Sequence, residues 1–323
     1  MKYILGMDTS CYTTSIALVD LDGNLVYSKQ ILLKVEEGGR GLQQSKALFQ
    51  HLQNLPELTS EISEGIDPGS IVGLAASVKP RPLPDSYMPV FMVGSMVGQA
   101  FCRLMKIPFF AVSHQENHIM AGQYSAKGPN SPRFIAIHLS GGTSEILLVT
   151  SHSGGFDIEL LGGTQDLHAG QFVDRIGVAM DLPFPAGPHL EKLALSGREG
   201  RVVIPSYVKG LTIGFSGAET HAQRLLSQGA SKEDVALAVF NCLIKTLEKW
   251  ISSAVHDRIE KEILLVGGVS SNRLIREKLP ERLHKMDPRI KLYFATPDLS
   301  RDNAVGTALL GLKQYKNLLG MER

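Results

Sequence analysis

FIAIHLSGGTSEILLV, residues 134–149, predicts an apolar strand, a polar turn with two glycines, and a second apolar strand. The same layout stands near the start of the chain, where the apolar runs Tyr3–Met7 and Ser15–Val19 flank small polar residues. In each copy a third strand follows, at Leu25–Leu33 and at Phe156–Leu161. Two copies of one strand–turn–strand pattern indicate a duplicated architecture.

Helical patterns alternate with further strands after each copy. Ile71–Val78 and Ile263–Val266 are short apolar runs typical of strands in the middle of a sheet. The other predicted helices and strands are Leu42–Ile62, Val90–Met105, Phe109–Val112, Ala169–Met180, Leu190–Ser196, Ala218–Ser227, a helix capped by Ser231, a strand at Lys291–Phe294 and a final helix from Asp302. Strands that alternate with helices indicate an α/β fold in which helices cover the sheets.

The length and composition favour two domains that share one cleft. A chain of 323 residues exceeds the usual size of a single domain. Hydrophobic residues make up 43% and charged residues 20%, and the formal net charge is +1, so no overall charge attracts the chain to nucleic acid or to a membrane. Residues 271–292 are locally basic, and we predict that most of them form the solvated face of a helix.

The cysteines and the N-terminus predict a cytoplasmic protein. Cys11, Cys102 and Cys242 are odd in number and widely spaced, which indicates reduced thiols rather than a disulfide framework. The apolar run before Asp8 is too short for a signal peptide or a membrane span, and no other uncharged stretch is long enough. We therefore expect no membrane association.

Two histidines four residues apart are the clearest chemical feature. His114 and His118 lie on one face of a predicted helix, so both imidazoles can reach one metal ion. A distant Asp302 can complete a set of two nitrogens and one oxygen, although it can also be the N-cap of the last helix. A zinc protease is disfavoured because its catalytic Glu would directly follow the first His, where this chain has Gln115.

Three small-residue turns, each directly after a strand, predict contacts with phosphate or nucleotide. Hydroxyl and backbone groups at residues 9–13 can donate to a phosphate, and Asp8 can hold a magnesium ion through water. Ser140-Gly141-Gly142 allows close approach of an anion, but either of these two loops taken alone is better explained as a plain tight turn. Residues 267–272 open a helix and suit an adenosine or phosphate, without being a dinucleotide fingerprint. Together the three turns favour a nucleotide site.

Eight motifs occur in one order over nearly the full chain. They are Met7-Asp8-Thr9-Ser10-Cys11, His114-x-x-x-His118, Ser140-Gly141-Gly142, Ala169-Gly170-x-x-x-Asp174-Arg175, Leu182-Pro183-Phe184-Pro185-Ala186-Gly187-Pro188, Phe215-Ser216-Gly217, Gly267-Gly268-Val269-Ser270-Ser271-Asn272 and Arg301-Asp302-Asn303-Ala304. In this order they resemble the motifs of the TsaD family, the tRNA N6-adenosine threonylcarbamoyltransferases once labelled O-sialoglycoprotein endopeptidases or glycoproteases.

The resemblance implies an actin-like, sugar-kinase-like fold with a nucleotide in the cleft between two lobes. The lobes would be residues 1–112 and 113–323, the second with a helical insertion at about 165–230. The implied reaction is transfer of a threonylcarbamoyl group from its adenylate to N6 of adenosine 37 in tRNAs that read ANN codons. The implied partners are tRNA and a homologous helper subunit or a second copy of the chain. The apolar helix at Val90–Met105 can offer a docking face for that subunit, and the alternative is that its apolar residues are simply part of the core.

The resemblance also implies roles for single residues. An iron or zinc ion would be held by His114, His118 and Asp302. An adenine nucleotide, threonylcarbamoyl-AMP or ATP, with magnesium as a further ion, would be bound by Ser10, Ser140, Gly141, Gly142, Asp174, Gly187, Gly268 and Asn272. Asp174 would bind the ribose hydroxyls and Asn272 the adenosine end. No protein nucleophile is needed, because the tRNA amine attacks the activated carbonyl.

Several positions depart from the family pattern, which indicates a divergent paralogue. They are Tyr12, Thr13, the loop Lys79–Pro89, Thr143, Leu167, Gln171 and Glu219. Since a shared fold does not guarantee a shared reaction, two alternatives stay open beside the tRNA-modifying transferase. One is a carbamoyltransferase that acts on a different acceptor, and the other is a non-catalytic nucleotide-binding partner of a true synthase.

Overall fold

The computed structural model describes residues 1–10, 12–35, 42–256 and 258–321. They divide into two compact units, each with its own sheet. The N-terminal unit comprises Met1–Ser125, Ser151–Asp157 and Arg301–Arg323, and the central unit comprises Ala126–Thr150 and Ile158–Ser300. This division differs from the predicted boundary after residue 112, because the histidine helix and the last helix both belong to the N-terminal unit.

A five-stranded mixed sheet forms the framework of the N-terminal unit. Its strands are β1 (Tyr3–Asp8), β2 (Thr13–Asp20), β3 (Leu25–Leu32), β4 (Ile71–Lys79) and β5 (Phe109–Ser113). Their spatial order is β3-β2-β1-β4-β5, with the first three antiparallel and the last two joined in parallel. The parallel pairing brings the carboxyl ends of β1, β4 and β5 to one edge of the sheet, where Asp8 lies.

Four long helices pack in the described part of the N-terminal unit, and each lies mostly in a segment predicted to be helical. They are α1 (Gln44–Gly65), α2 (Phe91–Met105), α3 (His114–Ala126) and α10 (Val305–Leu318). α10 closely approaches α3 at Gly306, where a Cβ would lie 2.0 Å from the carbonyl oxygen of Asn117. Only glycine allows this spacing, and the close contact brings the start of α10 against the histidine helix.

The sheet of the central unit has seven strands. They are β6 (Arg133–Leu139), β7 (Ser144–His152), β8 (Gly155–Thr164), β9 (Tyr207–Lys209), β10 (Thr212–Gly214), β11 (Glu262–Val266) and β12 (Lys291–Phe294). Their spatial order is β12-β11-β6-β7-β8-β10-β9. The first five follow the same pattern as the other sheet, since three consecutive antiparallel strands continue into two parallel ones. The predicted duplication is therefore present in both sheets.

The described residues of the central unit include six α-helices. They are α4 (Ala169–Ala179), α5 (Gly187–Ala194), α6 (Ser216–Ser227), α7 (Lys232–Val255), α8 (Arg273–Met286) and the short α9 (Pro297–Ser300). α7 is buried along most of its length and carries the fully buried Trp250 into the core. Its start is capped by Ser231, whose hydroxyl oxygen accepts a hydrogen bond from Asp234 N, as predicted.

Two predictions about secondary structure were wrong. The segment at about 165–230 is not wholly helical, because it contains the hairpin β9–β10, whose second strand pairs in parallel with β8. These strands have three residues each, too few to show an alternating pattern in the sequence. The final helix begins at Val305 with Ala304 as its N-cap residue, not at Asp302.

Two further predictions concern the cysteines, expected to be reduced thiols, and the absence of a membrane-spanning segment. Cys102 and Cys242 are free and buried, whereas Cys11 lies outside the described residues. Among the helices of the described ranges, none combines the length and apolar character that a bilayer span needs.

Candidate functional site

The two histidines are placed by the junction of β5 and α3. α3 starts at His114 directly after Ser113, whose backbone N–H and hydroxyl both donate to a Glu116 carboxylate oxygen, at 2.8 and 2.7 Å. The Glu116 N–H in turn donates to the Ser113 hydroxyl at 3.2 Å. This reciprocal pairing resembles a capping box and fixes the first turn, so His114 and His118 project from one side of the helix.

The side chains of His114, His118 and Asp302 converge in the N-terminal unit. The two Nε2 atoms are 3.1 Å apart, and Asp302 Oδ1 lies 3.5 Å from His114 Nε2 and 3.3 Å from His118 Nε2. Ligand atoms bound at about 2.1 Å to one tetrahedral or octahedral cation are roughly 3.0–3.4 Å apart. Two imidazole nitrogens and one carboxylate oxygen at these separations therefore fit a zinc or iron ion.

The side chain of Asp302 is available as a metal ligand because the neighbouring Asn303, and not Asp302, caps the start of α10. The carboxamide oxygen of Asn303 accepts a hydrogen bond from Val305 N at 2.9 Å, at the start of α10. The alternative prediction that Asp302 caps the last helix was wrong. Its side chain is 22% exposed, against 11% for His114 and 3% for His118, so the cluster is most open to solvent on the side of the carboxylate.

Asp8 orients His114 from behind. Its buried carboxylate accepts hydrogen bonds from His114 Nδ1 (3.0 Å), Asn117 Nδ2 (2.8 Å), the Ser77 hydroxyl (2.7 Å) and Ser10 N (2.8 Å). Because an ionised carboxylate only accepts, His114 Nδ1 carries a proton and the Nε2 lone pair faces the other two ligand atoms. With four protein donors and no solvent exposure, Asp8 is poorly placed to bind the water of a magnesium ion, contrary to the prediction for this residue.

We call His114, His118 and Asp302 the ligand cluster. Asn117, which the sequence analysis did not single out, connects its two parts, the histidines of α3 and the turn that carries Asp302. Its side-chain nitrogen donates to Asp8 Oδ2 and to the Asn303 carbonyl, and its oxygen accepts from Thr307 N at 2.9 Å. The side chain thereby links α3 to the turn that carries Asp302. Its position next to His118 in the sequence was the only signal, and polar residues beside histidines are too common for that to be specific.

Electrostatics favour charged carboxylates in this cluster. Burial raises the pKa of Asp8, but the His114 charge and the hydrogen bonds from His114, Ser10 and Ser77 lower it below the ordinary value on balance. For Asp302, burial again opposes ionisation, and the hydrogen bonds and charges of both histidines hold the pKa well below its usual range. Burial, followed by the His114 charge, lowers the pKa of His118. Metal binding needs anionic carboxylates and neutral imidazoles, so a bound cation would replace the protons that otherwise give the two histidines their charge.

The first polar turn, at residues 9–13, is fully buried at Thr9 and Ser10. The Thr9 hydroxyl donates to the Val90 carbonyl at 2.9 Å, and Ser10 is fully buried, with no hydrogen-bond partner for its hydroxyl among the described residues. Beside the turn, Thr14 Oγ1 lies 2.8 Å from Nδ1 of the buried His51. Burial lowers the pKa of His51 to about 4, so this imidazole is neutral near pH 7.

In the central unit, the Ser140-Gly141-Gly142 turn is closed at its base and open above. Ser140 N donates to the Thr143 carbonyl at 2.8 Å, and Gly142 N donates to the Ser140 hydroxyl at 3.3 Å. Around Gly141 and Gly142 no atom lies within 4 Å of the position that a Cβ would occupy. Gly170 fixes α4 against this turn, because its own Cβ would lie 2.7 Å from Gly141 N.

Asp174 and Gly187, the predicted ribose contacts, are adjacent. Asp174 Oδ1 accepts a hydrogen bond from Ala186 N at 2.8 Å, and the Gly187 N–H also lowers the pKa of this carboxyl group. Burial is the larger effect and raises the pKa above its ordinary value. The carboxylate therefore holds the start of α5 against α4.

Gly268 and Asn272 lie where β11 leads into α8. β11 pairs in parallel with β6, so their carboxyl ends bring Gly268 and the Ser140 turn to one edge of the central sheet. Asn272 caps α8 by accepting from Ile275 N at 3.1 Å, and its side-chain nitrogen donates to Glu191 of α5 at 2.6 Å. Both ends of this amide are thus engaged within the protein, which argues against a direct side-chain contact with adenosine.

Two charged features of the central unit bear on nucleic-acid binding. Glu219, at a position where the family resemblance leads us to expect a lysine, pairs with Arg175 at 3.2 Å. Residues 271–292 are locally neutralised, as predicted for a solvated helix face. Their ion pairs are Arg273–Glu277, Lys278–Glu199, Arg282–Glu248, Lys285–Glu281, Arg289–Asp287 and Lys291–Glu262.

Several solved structures share the fold of this chain, although their sequence identity to it is low. HypF of T. kodakarensis has a TM-score of 0.65 at 15% identity, over 98% of this chain and 48% of that chain. Component A of (R)-2-hydroxyglutaryl-CoA dehydratase from Acidaminococcus fermentans has a TM-score of 0.57 at 16% identity, over 97% and 99%. A ROK family glucokinase from Streptomyces griseus has a TM-score of 0.55 at 13% identity, over 96% and 99%. The predicted actin-like, sugar-kinase-like fold class is confirmed.

A family model defines the relationship more closely than the structures do. The model for TsaD, tRNA N6-adenosine threonylcarbamoyltransferase, matches residues 45–309, which is well over half of the chain. The matched range contains both histidines, Asp302 and the glycine turns of the central unit. The chain belongs to the TsaD family.

Proposed function

We propose that this protein transfers a threonylcarbamoyl group from threonylcarbamoyl-AMP to N6 of adenosine 37 in tRNA. The observation that carries the proposal is the convergence of His114, His118 and Asp302 in a member of the TsaD family. A chain that had lost its chemistry would have little reason to keep three ligand side chains together with the buried hydrogen bonds that orient them. We further propose tRNA as the acceptor, and a homologous helper subunit or a second copy of the chain as partner.

The metal-binding role falls to His114, His118 and Asp302, with iron or zinc as the ion. A cation at this position supplies a Lewis acid that polarises a carbonyl or phosphoryl oxygen. Asp8 keeps the proton of His114 on Nδ1, and Asn117 fixes the distance between α3 and the Asp302 turn. Such supporting hydrogen bonds preserve ligand geometry during turnover.

Nucleotide binding falls to the central unit. Backbone N–H groups of the Ser140-Gly141-Gly142 turn are suited to the phosphate of the adenylate, and Asp174 with Gly187 to the ribose. Gly268 leaves open space for the adenine ring of the nucleotide. Asn272 contributes indirectly to this part of the proposed site, because it caps and so fixes the start of α8. Ser10 completes the proposed set from the first polar turn. The acceptor amine attacks the carbamoyl carbon and AMP leaves, so the protein contributes positioning and charge stabilisation rather than a nucleophile.

One observation favours a second candidate, a carbamoyltransferase with a different acceptor. The Arg175–Glu219 pair removes a free cation from the surface beside Asp174. A polyanionic tRNA is attracted by free lysine and arginine side chains, so a neutralised pair suits a smaller or neutral acceptor better.

A reconstituted reaction tests the two candidates. The metal-loaded protein, with its helper proteins present, is incubated with threonylcarbamoyl-AMP and unmodified tRNA, and the nucleosides are analysed by mass spectrometry. We expect threonylcarbamoyladenosine to form with the wild type and with His152→Ala, an exposed histidine in the same unit, but not with His114→Ala. A protein that binds the metal and the adenylate but forms no modified adenosine would reject tRNA as acceptor and favour the second candidate.

A further inference from the structure

An open cavity of about 410 Å³ lies at the C-terminal end of α2, away from the proposed ligand residues. It is lined by Gln99, Cys102, Arg103, Lys106, Ile107 and Phe109. Sites for small molecules commonly enclose about 300–1,000 Å³. The volume is therefore sufficient for a small organic ligand.

Two cations border this cavity without a counter-ion. Arg103 and Lys106 make no hydrogen bond or ion pair with any side chain in the described part of the chain. α2 itself supplies no carboxylate, since its sequence contains neither Asp nor Glu. Cations on α8 differ in this respect, as Lys278 and Arg282 are both paired with glutamates. The charge at the mouth of the cavity is thus available to an anion.

The backbone at Lys106 determines how a substitution there will act. Lys106 ends α2 in the left-handed conformation, with φ 56° and ψ 39°, and its N–H and that of Ile107 both donate to the Cys102 carbonyl. Glycine is the usual residue at this position of a helix end, because a side chain is strained there. Lys127 and Asp181, after α3 and α4, share this conformation. A glycine at position 106 would relieve the strain, so Lys106→Gly can remove the cation without weakening the helix end.

The inner wall of the cavity is apolar. Ile107 and Phe109 contribute hydrocarbon surface, and the Cys102 thiol is buried and donates to the Pro108 carbonyl at 3.6 Å. Burial raises the pKa of Cys102 to about 11, so the group is a neutral thiol near pH 7 and not a nucleophile. A ligand would be held without a covalent bond.

We infer that this cavity binds a small organic anion, with its charged group at Arg103 and Lys106 and an apolar body against Ile107 and Phe109. None of these residues belongs to the proposed metal or nucleotide sets. The inference is therefore independent of metal and nucleotide binding, although three of the lining residues belong to α2, the helix for which partner docking is expected.

Ligand-detected NMR titrations of the full-length protein test the inference. The probes are phenyl phosphate, inorganic phosphate and benzyl alcohol, and each is also titrated into Gly141→Ala, whose added methyl group obstructs the nucleotide turn. We expect phenyl phosphate to bind about tenfold more tightly than either probe that lacks one of its two parts. Lys106→Gly and Arg103→Gln should each weaken phenyl phosphate binding about fivefold or more, whereas Lys316→Gln, at the end of α10, should not.

Lys106→Gly separates ligand binding from helix capping. Since glycine suits the left-handed conformation, this variant should melt at or above the wild-type temperature while binding the probe more weakly. Unchanged affinity in both Lys106→Gly and Arg103→Gln would show that the cations only complement the helix end, and would overturn the inference. Equal affinity for phenyl phosphate and inorganic phosphate, or no binding of phenyl phosphate, would also overturn it.

Discussion

The ligand cluster of the N-terminal unit and the glycine turns of the central unit are built in opposite ways. Around His114 and His118, buried polar groups such as Asp8 and Asn117 are hydrogen-bonded to one another before any ligand arrives. Around Gly141, by contrast, the backbone faces open space. Metal ligands need fixed directions, whereas a phosphate needs accessible N–H groups and room. The two regions should therefore respond differently to substitution.

The largest effect should come from removing a ligand in the N-terminal cluster. His118→Ala leaves one imidazole and one carboxylate, so affinity for Zn²⁺ or Fe²⁺ should decrease by more than about 100-fold. Metal content after dialysis, measured by mass spectrometry, and a Zn²⁺ titration check this. His152→Ala is the matched control, and equal metal content in both variants would remove the proposed ion site.

Removal of the Asn117 side chain tests whether the hydrogen bonds that orient the ligand cluster also stabilise the folded protein. Asn117→Ala leaves Asp8, the Asn303 carbonyl and Thr307 N short of partners, and we expect a loss of about 2–4 kcal/mol in the free energy of unfolding. Urea denaturation measures it. The exposed Asn317→Ala on α10 should change stability by less than about 0.5 kcal/mol. Similar values for the two variants would mean that the network contributes little.

Burial of His51 predicts a pH dependence that belongs to the N-terminal unit. Its folded pKa of about 4 lies below the ordinary 6.5, so between these values the unfolded chain binds a proton that the folded chain does not. Stability from this residue is present above pH 6.5 and decreases as the pH falls to 4, by about 3 kcal/mol in total. Unfolding curves from pH 7 to 4.5 should show a shallower decrease for His51→Gln than for the wild type. The exposed His189→Gln is the matched control, and a slope for His51→Gln equal to that of the wild type would contradict the prediction.

The smallest effects should distinguish two glycines of the central unit. Gly170→Ala places a methyl group 2.7 Å from backbone atoms of Ser140 and Gly141, and should lower stability by about 1–3 kcal/mol. Gly141→Ala meets no atom within 4 Å and should change stability by less than about 0.5 kcal/mol, while weakening AMP binding severalfold. Thermal unfolding and AMP titration check both. A stable Gly170→Ala variant would remove the difference between the two glycines. Unimpaired AMP binding by Gly141→Ala would show that the open turn is not a phosphate site, and so would break the contrast with the ligand cluster of the N-terminal unit.

Much of the fold followed from local patterns, and the failures have local explanations. The duplicated strands and the long helices have enough residues to show their periodicity, and α1 was predicted despite its internal Pro56. The hairpin β9–β10 was missed because three-residue strands owe their existence to pairing with β8. The adenosine role predicted for Asn272 did not anticipate Glu191, which lies 81 residues away in the sequence and engages the same amide.

The sequence by itself determined the ligand types, because histidines four residues apart share a helix face in any α-helix. It also determined the paired architecture, since the strand–turn–strand pattern appears twice. Only the tertiary structure decided that Asp302 joins the histidines rather than capping α10, that Asp8 orients His114, and that Asn117 links them. These contacts connect residues 106 to 188 positions apart, and no spacing rule relates side chains that meet only after the sheet and helices have packed.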